Sequence, residues 1–494
     1  MTRPYVLAID QGTTNTKVLA VDADGRVLAK ASEPLPIAYP EPGWVQCEAQ
    51  ALWNTVQLAC AKVLAELHPQ LPAAIGISNQ RESTLAWDKR TGEALGPVVV
   101  WQCRRSTALC DRVREHASTI HKITGLGVDP LFSSTKMQWL LQNIPQAARA
   151  ASQGHLALGT VDAWLLWNLT GGAAFATDAS NASRTQLYGL QSGSWDAAMC
   201  ELFDVPMHAL PEIKATNALF GHTASGSGLP AGVPIFALFA DSHAAFFAHG
   251  ATQGGVKATY GTGSSLLATT PQLVLSQRGL SSTVAWRLQG DAAATFALEG
   301  NVAVAGAALQ WLAQVLFGND DVARVAALAA SVPDAAGVYL VPAFVGLGAP
   351  HWEPNARGLL TGLTRGTTAA HICRAGLESL AYQVKDVITA LEAEQGAAYA
   401  SVFADGGASG NDSLMQFQAD TLDRQVLRAS QPDLSALGTA YMAGLGAGLW
   451  NSVKDVAALP KDRHSFVPRM PAHVRETAYE GWKRAIAQVL ERGH

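Results

Sequence analysis

The sequence predicts an α/β protein of two large domains, and three observations carry that prediction. At 494 residues the chain exceeds what one hydrophobic core organises. Short apolar runs of strand character alternate with longer helical segments through the first half. A pattern of strand, polar turn and strand opens the chain at Tyr5 to Val21 and returns at Val256 to Leu267, so the two halves begin alike. The division is expected at 1–250 and 251–494, close to the Gly254-Gly255 turn.

The first strand, Tyr5-Val6-Leu7-Ala8-Ile9, runs into Asp10-Gln11-Gly12-Thr13-Thr14-Asn15-Thr16-Lys17. That turn suits a phosphate. Gly12 lets the backbone approach an oxyanion, successive N–H groups and the Thr13 and Thr14 hydroxyls donate hydrogen bonds, and Lys17 adds a point charge. Asp10, at the end of a buried strand, suits a hydrated magnesium ion, which keeps several waters and needs only one or two carboxylates. Val18 to Val21 and Val27 to Ala29 flank an Asp-Gly turn, so the polar turn lies between strands. A Walker A loop instead opens a helix and carries two glycines before its Lys-Ser/Thr. The pattern resembles the phosphate hairpin of the actin, hexokinase and sugar-kinase superfamily.

The remaining elements follow in order. A proline-rich loop from Pro34 to Trp44 precedes a helix from about Glu48 that carries Leu52, Val56, Leu58 and Ala59. Ala73 to Ile77 reads as a buried strand ending in Asn79-Gln80-Arg81-Glu82-Ser83. Thr84 to Trp87 and Val98 to Trp101 read as a second hairpin around Asp88 to Gly92. Pro234 to Leu238 is a strand leading to Asp241 and a short helix, Ala244 to His249. Val402 to Ala404 leads through Asp405-Gly406-Gly407 into a helix from about Ser413 to Leu422; glycines there let a nucleotide lie against the backbone, and the helix amino end favours anionic groups. The small-residue helix Ala436 to Gly444 is expected to pack closely beneath that site.

Composition excludes several classes. With 35 basic and 40 acidic residues the formal charge is −5 without runs of like charge, which argues against a nucleic acid or polybasic membrane partner. Met1-Thr2-Arg3-Pro4 leads directly into the first strand, leaving no room for a signal peptide, and no uninterrupted apolar stretch reaches ~18 residues. The six cysteines show no Cys-x-x-Cys spacing and read as reduced thiols, so a cytoplasmic protein is expected. Cys103, His243 and His371 read as structural.

From end to end the ordered motifs resemble those of the FGGY carbohydrate kinases, and within them the bacterial glycerol kinases. They include Asp10 to Thr14, Tyr39 to Val45, Asn79 to Glu82, Trp101 to Arg105, Thr177 to Thr185 and Tyr260 to Gly263. Gly346 to Pro350, Leu363 to Gly366, Asp405 to Gly407 and Met415 to Gln418 complete the order. The resemblance implies two actin-like (ribonuclease H-like) domains, with ATP and a small polyol or sugar meeting in the cleft between them. It implies Thr13, Thr14, Asn15 and Lys17 at the phosphates, and Thr262, Gly306 and Gln310 around the nucleotide. Gly407 and Asn411 would lie near the adenosine, Asp10 would organise Mg2+, and Asp241 would be the catalytic base. Arg81 and Glu82 would hold polyol hydroxyls, Trp101 would wall the carbon chain, and Thr13 would also face the acceptor. Relatives of this kind are often dimers or tetramers, so a homo-oligomer is expected.

Three positions depart from the glycerol kinase pattern. Leu131 stands in place of a tyrosine, Ser242 of a glutamine and Ser265 of a phenylalanine, so each side chain is smaller and the pocket is expected to be wider and more polar. That favours an acceptor of four or five carbons, a tetritol, pentitol or ketopentose, over glycerol. Rival readings are a catalytically silent nucleotide-binding regulator and an actin-like filament. Asp10, Asp241, Arg81 and Glu82 speak against both, because neither needs a base or a diol clamp.

Overall fold

The computed structural model describes residues 4–250 and 254–492. The expectations for Met1-Thr2-Arg3 and for a domain division at 250–251 touch residues outside those described.

The first half is organised by a sheet whose strands are β1 (Tyr5–Gln11), β2 (Asn15–Asp22) and β3 (Val27–Pro34), followed after helix α1 (Ala49–Leu67) by β4 (Ala74–Asn79). β1 and β4 are buried almost throughout, as their continuous apolar sequences require for a sheet covered on both faces. β5 (Thr84–Asp88) lies outside this sheet. It meets Val98–Val99 only at Thr84↔Val99 and pairs over its whole length with β6 (Leu156–Thr160). The expected hairpin forms on the other edge of β5, with Trp87 opposite Ala94 and the Leu95 N–H donating to the Ala86 carbonyl (2.8 Å), but its ladder is broken. Gly96-Pro97 interrupts the returning segment, proline having no N–H for a ladder, and Trp101 falls in the turn beyond it. Helix α2 (Ser133–Asn143) packs on β5.

β7 (Pro234–Ala240) completes the first sheet, whose order is the Gly221–His222 edge, then β7-β4-β1-β2-β3. β7, β4 and β1 are parallel, and β1, β2 and β3 antiparallel. α1 buries Leu52, Val56 and Ala59 but leaves Leu58 53% exposed, because positions two apart on a helix face opposite ways. Helix α3 (Asp241–Ala248) starts three residues earlier than the sequence suggests. Asp241 is its first residue, and its carboxylate accepts the Ser242 N–H (2.5 Å), so the acid favours the positive end of the helix.

The second half repeats the plan with β8 (Gly255–Tyr260), β9 (Ser264–Thr270), β10 (Ser281–Trp286) and β11 (Thr295–Val302). Next come α4 (Gly306–Phe317), α5 (Ala369–Gln395), β12 (Ser401–Asp405), α6 (Asp412–Leu422), β13 (Gln425–Ala429), α7 (Leu434–Gly446) and β14 (Arg463–Phe466). Its sheet order is β10-β11-β9-β8-β12-β13-β14. β8, β12 and β13 are parallel while β8, β9 and β11 are antiparallel, the same core as β1, β4, β7 against β1, β2, β3. Two related halves are therefore visible in topology.

α7 departs from expectation. It packs against β1, β4, β7 and α3 of the first half rather than beneath the Asp405-Gly406-Gly407 turn. Its small residues explain the choice: a Cβ on Gly438 would lie 1.8 Å from the Ala244 carbonyl oxygen, and one on Gly76 would lie 2.8 Å from Thr439. Val6, Ala8, Phe239, Phe246, Phe247, Leu437 and Met442 share this apolar layer. Each fully buried large apolar side chain contributes roughly 1.5–3 kcal/mol, so the layer ties the two halves through α3 and α7.

Candidate active site

The first half brings its polar groups to the carboxyl ends of three parallel strands. Asp10 is the penultimate residue of β1, Arg81 and Glu82 follow β4, and Asp241 follows β7. Open α/β sheets bind ligands at such ends, where buried strands emerge and the chain becomes polar.

The hairpin between β1 and β2 is closed by Gly12 N–H donating to the Asn15 carbonyl (3.0 Å). Thr13, Thr14 and Asn15 form its tip, with Thr14 exposed. The Trp101 indole N–H donates to the Thr13 hydroxyl (2.8 Å), which joins the expected wall of the acceptor pocket to the expected phosphate loop. The Lys17 ammonium pairs with Asp433 (2.9 Å), just before α7, and Lys30 approaches the same carboxylate (3.6 Å). In this structure Lys17 therefore bridges the halves. Asp10 accepts the Ser78 hydroxyl (2.9 Å), and burial, then the charge of Asp241, push its carboxyl up to about 7.

Arg81 and Glu82 do not pair with each other. Arg81 reaches Asp241 through Nε (3.2 Å) and Glu299 of β11 through Nη1 (2.6 Å). Glu82, at φ +59, accepts from the wholly buried Arg184 (2.7 Å), which also meets Glu299 (3.0 Å). The result is an unbroken chain, Asp241–Arg81–Glu299–Arg184–Glu82, spanning both halves. Burial opposes ionisation of Glu299, but Arg184 and Arg81 outweigh it and hold the carboxyl well below its usual range. Burial raises Asp241 against the opposing pull of Arg81. Asp241 keeps a third of its side chain open, and its Oδ1 takes both the Arg81 and Ser242 contacts. Among the described residues no donor bonds its Oδ2.

The two serines are engaged as well. Buried Lys257 donates to the Ser242 hydroxyl (2.6 Å), Ser242 meets Ser265 (3.0 Å), and Ser265 donates to Glu299 (2.7 Å). Burial depresses the Lys257 ammonium. Leu131 is half-buried, and its carbonyl, with those of Phe132 and Glu82, accepts from buried Lys136, whose ammonium burial brings down to about 8. Lys136 thus fixes both the Glu82 turn and the Leu131 loop. Sequence reasoning singled out none of Glu299, Lys257 and Lys136, and quoted Arg184 only within a motif. The available signal was a charge inside an apolar strand or helix start, as in Ala297-Leu298-Glu299-Gly300.

The second hairpin, Gly261-Thr262-Gly263, faces the start of α4. Thr262 is exposed, its carbonyl accepts from Ala305 (2.8 Å) and Ala307 (3.2 Å), and Gly306 N–H donates to the Gly261 carbonyl (2.9 Å). Gln310 lies exposed one turn along α4. After β12, Gly406 adopts φ +89 with its α-carbon against the Tyr260 backbone, a conformation suited to glycine. Gly407 opens a short 3-10 turn with free space around it. The Asn411 side chain caps α6 by accepting the Leu414 N–H (3.0 Å). His243 is buried, and His371 caps α5 through Thr368 (3.2 Å), both as structural groups.

Two duplicated sheets, each with a glycine-threonine hairpin, and acids at the strand ends between them define a two-domain phosphotransferase. The chain belongs to the FGGY family of carbohydrate kinases: the family's N-terminal domain matches residues 5–248 and its C-terminal domain residues 256–447. It is 45% identical over 493 residues to an apulose kinase of Pectobacterium atrosepticum, covering 99% of both chains. It is 43% identical over 488 residues to a glycerol kinase of Burkholderia ambifaria, covering 98% and 97%. Among solved structures, the Plasmodium falciparum glycerol kinase with ADP superposes with a TM-score of 0.91 at 30% identity, covering 99% and 98%. A xylulose kinase of Rhodospirillum rubrum does so at 0.86 and 26%, covering 99% and 100%. No helix among the described residues is long and apolar enough to cross a membrane.

Proposed function

We propose that this carbohydrate kinase transfers the γ-phosphoryl group of ATP to a terminal hydroxyl of a polyol or ketose of four or five carbons. Asp241 is the base. The observation that carries this reading is its carboxylate: Oδ1 is held by Arg81 and the Ser242 N–H, while among the described residues no donor bonds Oδ2 and a third of the side chain is exposed. The hydroxyl proton passes to Oδ2, the hydroxyl oxygen bonds to the γ-phosphorus, and the bond from phosphorus to the bridging oxygen breaks, releasing ADP. Burial makes Asp241 a stronger base than an exposed carboxylate, and the Arg81 guanidinium opposes that rise.

Arg81 and Glu82 supply a donor and an acceptor for a vicinal diol, and Trp101 lines the carbon chain. Thr13, Thr14, Asn15 and Lys17 face the phosphates, with Lys17 exchanging Asp433 for phosphate. Thr262, Gly306 and Gln310 border the nucleotide, and Gly407 and Asn411 border its adenosine. A divalent cation fits at Asp10, whose carboxyl is driven towards protonation by burial and then by the negative charge of Asp241, a pairing that a cation would relieve. Mg2+ there would neutralise charge on the phosphates.

The choice of a longer acceptor over glycerol is supported by the polar Ser242 and Ser265 wall, by Leu131, and by the apulose and xylulose kinases among the similar proteins. Release of ADP across glycerol, tetritols, pentitols and ketopentoses tests it, with Asp241→Asn lowering kcat by roughly 10²–10⁴-fold. Equal activity of the variant would remove Asp241 from its role, and a kcat/KM far higher for glycerol would overturn the choice of acceptor.

A further inference from the structure

The wall that the second half turns towards Arg81 is one face of β9 and β11. Ser265 and Asn301 are directly opposed in that antiparallel pair, and Glu299 precedes Asn301 by two residues. Strand alternation puts Ser265, Glu299 and Asn301 on a common face. Glu299 bonds Arg81 (2.6 Å) and Ser265 (2.7 Å), so this face borders the acceptor side of the cleft. The backbone of Asn301 is satisfied, its carbonyl accepting from Ala349 (2.9 Å). Its side-chain nitrogen is not: Nδ2 is buried and, among the described residues, finds no hydrogen-bond partner.

A buried amide without a partner costs folding free energy, and native structures keep few of them. The group makes sense where a ligand supplies the missing oxygen. A three-carbon acceptor that presents one hydroxyl to Asp241 and two to Arg81 and Glu82 has no oxygen left. A fourth or fifth carbon brings another. The amide offers donors on nitrogen and an acceptor on oxygen, and a half-turn exchanges them, so it can meet a hydroxyl or a carbonyl.

We propose that Asn301 is a specificity-determining residue that hydrogen-bonds an oxygen on the fourth or fifth carbon of the acceptor, opposite Arg81 and Glu82. This rests on the proposed function above.

The test compares Asn301→Ala with wild type by ADP release on glycerol, a tetritol, a pentitol and ketopentoses, together with thermal melting without ligand. The expected result is a loss in kcat/KM of at least about tenfold on the preferred four- or five-carbon acceptor, mostly in KM, against at most about threefold on glycerol. Melting should be equal or higher, since an unpaired polar group has been removed. Asn301→Ser, which restores a shorter hydroxyl, should recover part of the loss; it also serves if the alanine variant does not fold. Equal losses on all acceptors, no loss, or a lowered melting temperature with a general loss would overturn the role of Asn301 and leave the longer acceptor standing. Wild-type preference for glycerol would overturn the acceptor class, and this inference with it.

Discussion

Glu299→Gln isolates what the buried charge chain does. In the native site Arg81 and Arg184 both reach Glu299, with Asp241 and Glu82 as their other partners. Glutamine keeps the volume and one acceptor oxygen but takes from both guanidiniums the charge they share at Glu299, which is wholly buried. Removing one partner of a buried pair costs about 3–5 kcal/mol. Arg81 retains Asp241 and Arg184 retains Glu82, so the lower end, about 3 kcal/mol, applies. At about 2–4 °C per kcal/mol for a domain of this size, melting should fall by about 6–12 °C. Activity should fall further than stability suggests. Arg81, freed from Glu299, closes on Asp241 and lowers the basicity of the carboxylate while leaving the diol position, so kcat/KM should drop by about 10²-fold or more. The assays are thermal melting and ADP release with saturating ATP. Glu480→Gln, in the half-exposed pair with Lys483, is the control and should barely move melting. A Glu299→Gln enzyme that melts within about 2 °C of wild type and keeps kcat/KM within about threefold would refute the reasoning.

Gly438→Ala adds a Cβ 1.8 Å from the Ala244 carbonyl oxygen, so the gain of about 1 kcal/mol in helix propensity is outweighed by overpacking of about 1–3 kcal/mol or more. α3 must move, carrying Asp241 with it, so both melting temperature and kcat should fall; an unchanged kcat would show that the packing of α7 on α3 does not set the base. Lys136→Met tests a pH dependence. The folded ammonium lies at about 8 against an ordinary 10.5, so between those values the unfolded chain holds the proton that the folded one has lost, and wild-type stability rises with pH there. The variant lacks this contribution, so urea unfolding should show the gap, wild type minus variant, rising by about 1.6 kcal/mol from about pH 8 to about pH 9.5. A gap that stays flat or falls would remove Lys136 from that account.

What the sequence made legible was local. Buried strands must end, and where Ile9 and Ala240 hand over to Asp10 and Asp241, and Ile77 through Ser78-Asn79-Gln80 to Arg81, the change from apolar to polar and charged is visible in the string itself. The duplicated hairpins were legible for the same reason. Partners brought from afar were not: Arg81 meets Glu299 across 218 positions, and Lys17 meets Asp433 across 416. The docking of α7 shows the limit clearly. A stripe of small residues announces a close approach but does not name the surface approached, and here it is the first sheet and α3.

The serines at 242 and 265 carry the same lesson into the acceptor site. Read by size alone, each leaves space where a glutamine or phenylalanine would stand. In the fold each hydroxyl is bonded, Ser242 to Lys257 and Ser265 to Glu299, and the two meet at 3.0 Å. A buried lysine and a buried glutamate are thereby joined through two hydroxyls that neither a phenylalanine nor an aliphatic side chain could provide. The smaller residues do more than enlarge the pocket, since they carry the polar network up to the face where Asn301 waits for an oxygen. On the proposed reading, an acceptor that fills only the volume would leave that face unpaired, one that brings a further hydroxyl or carbonyl would complete it, and polarity rather than size would set the length of the acceptor.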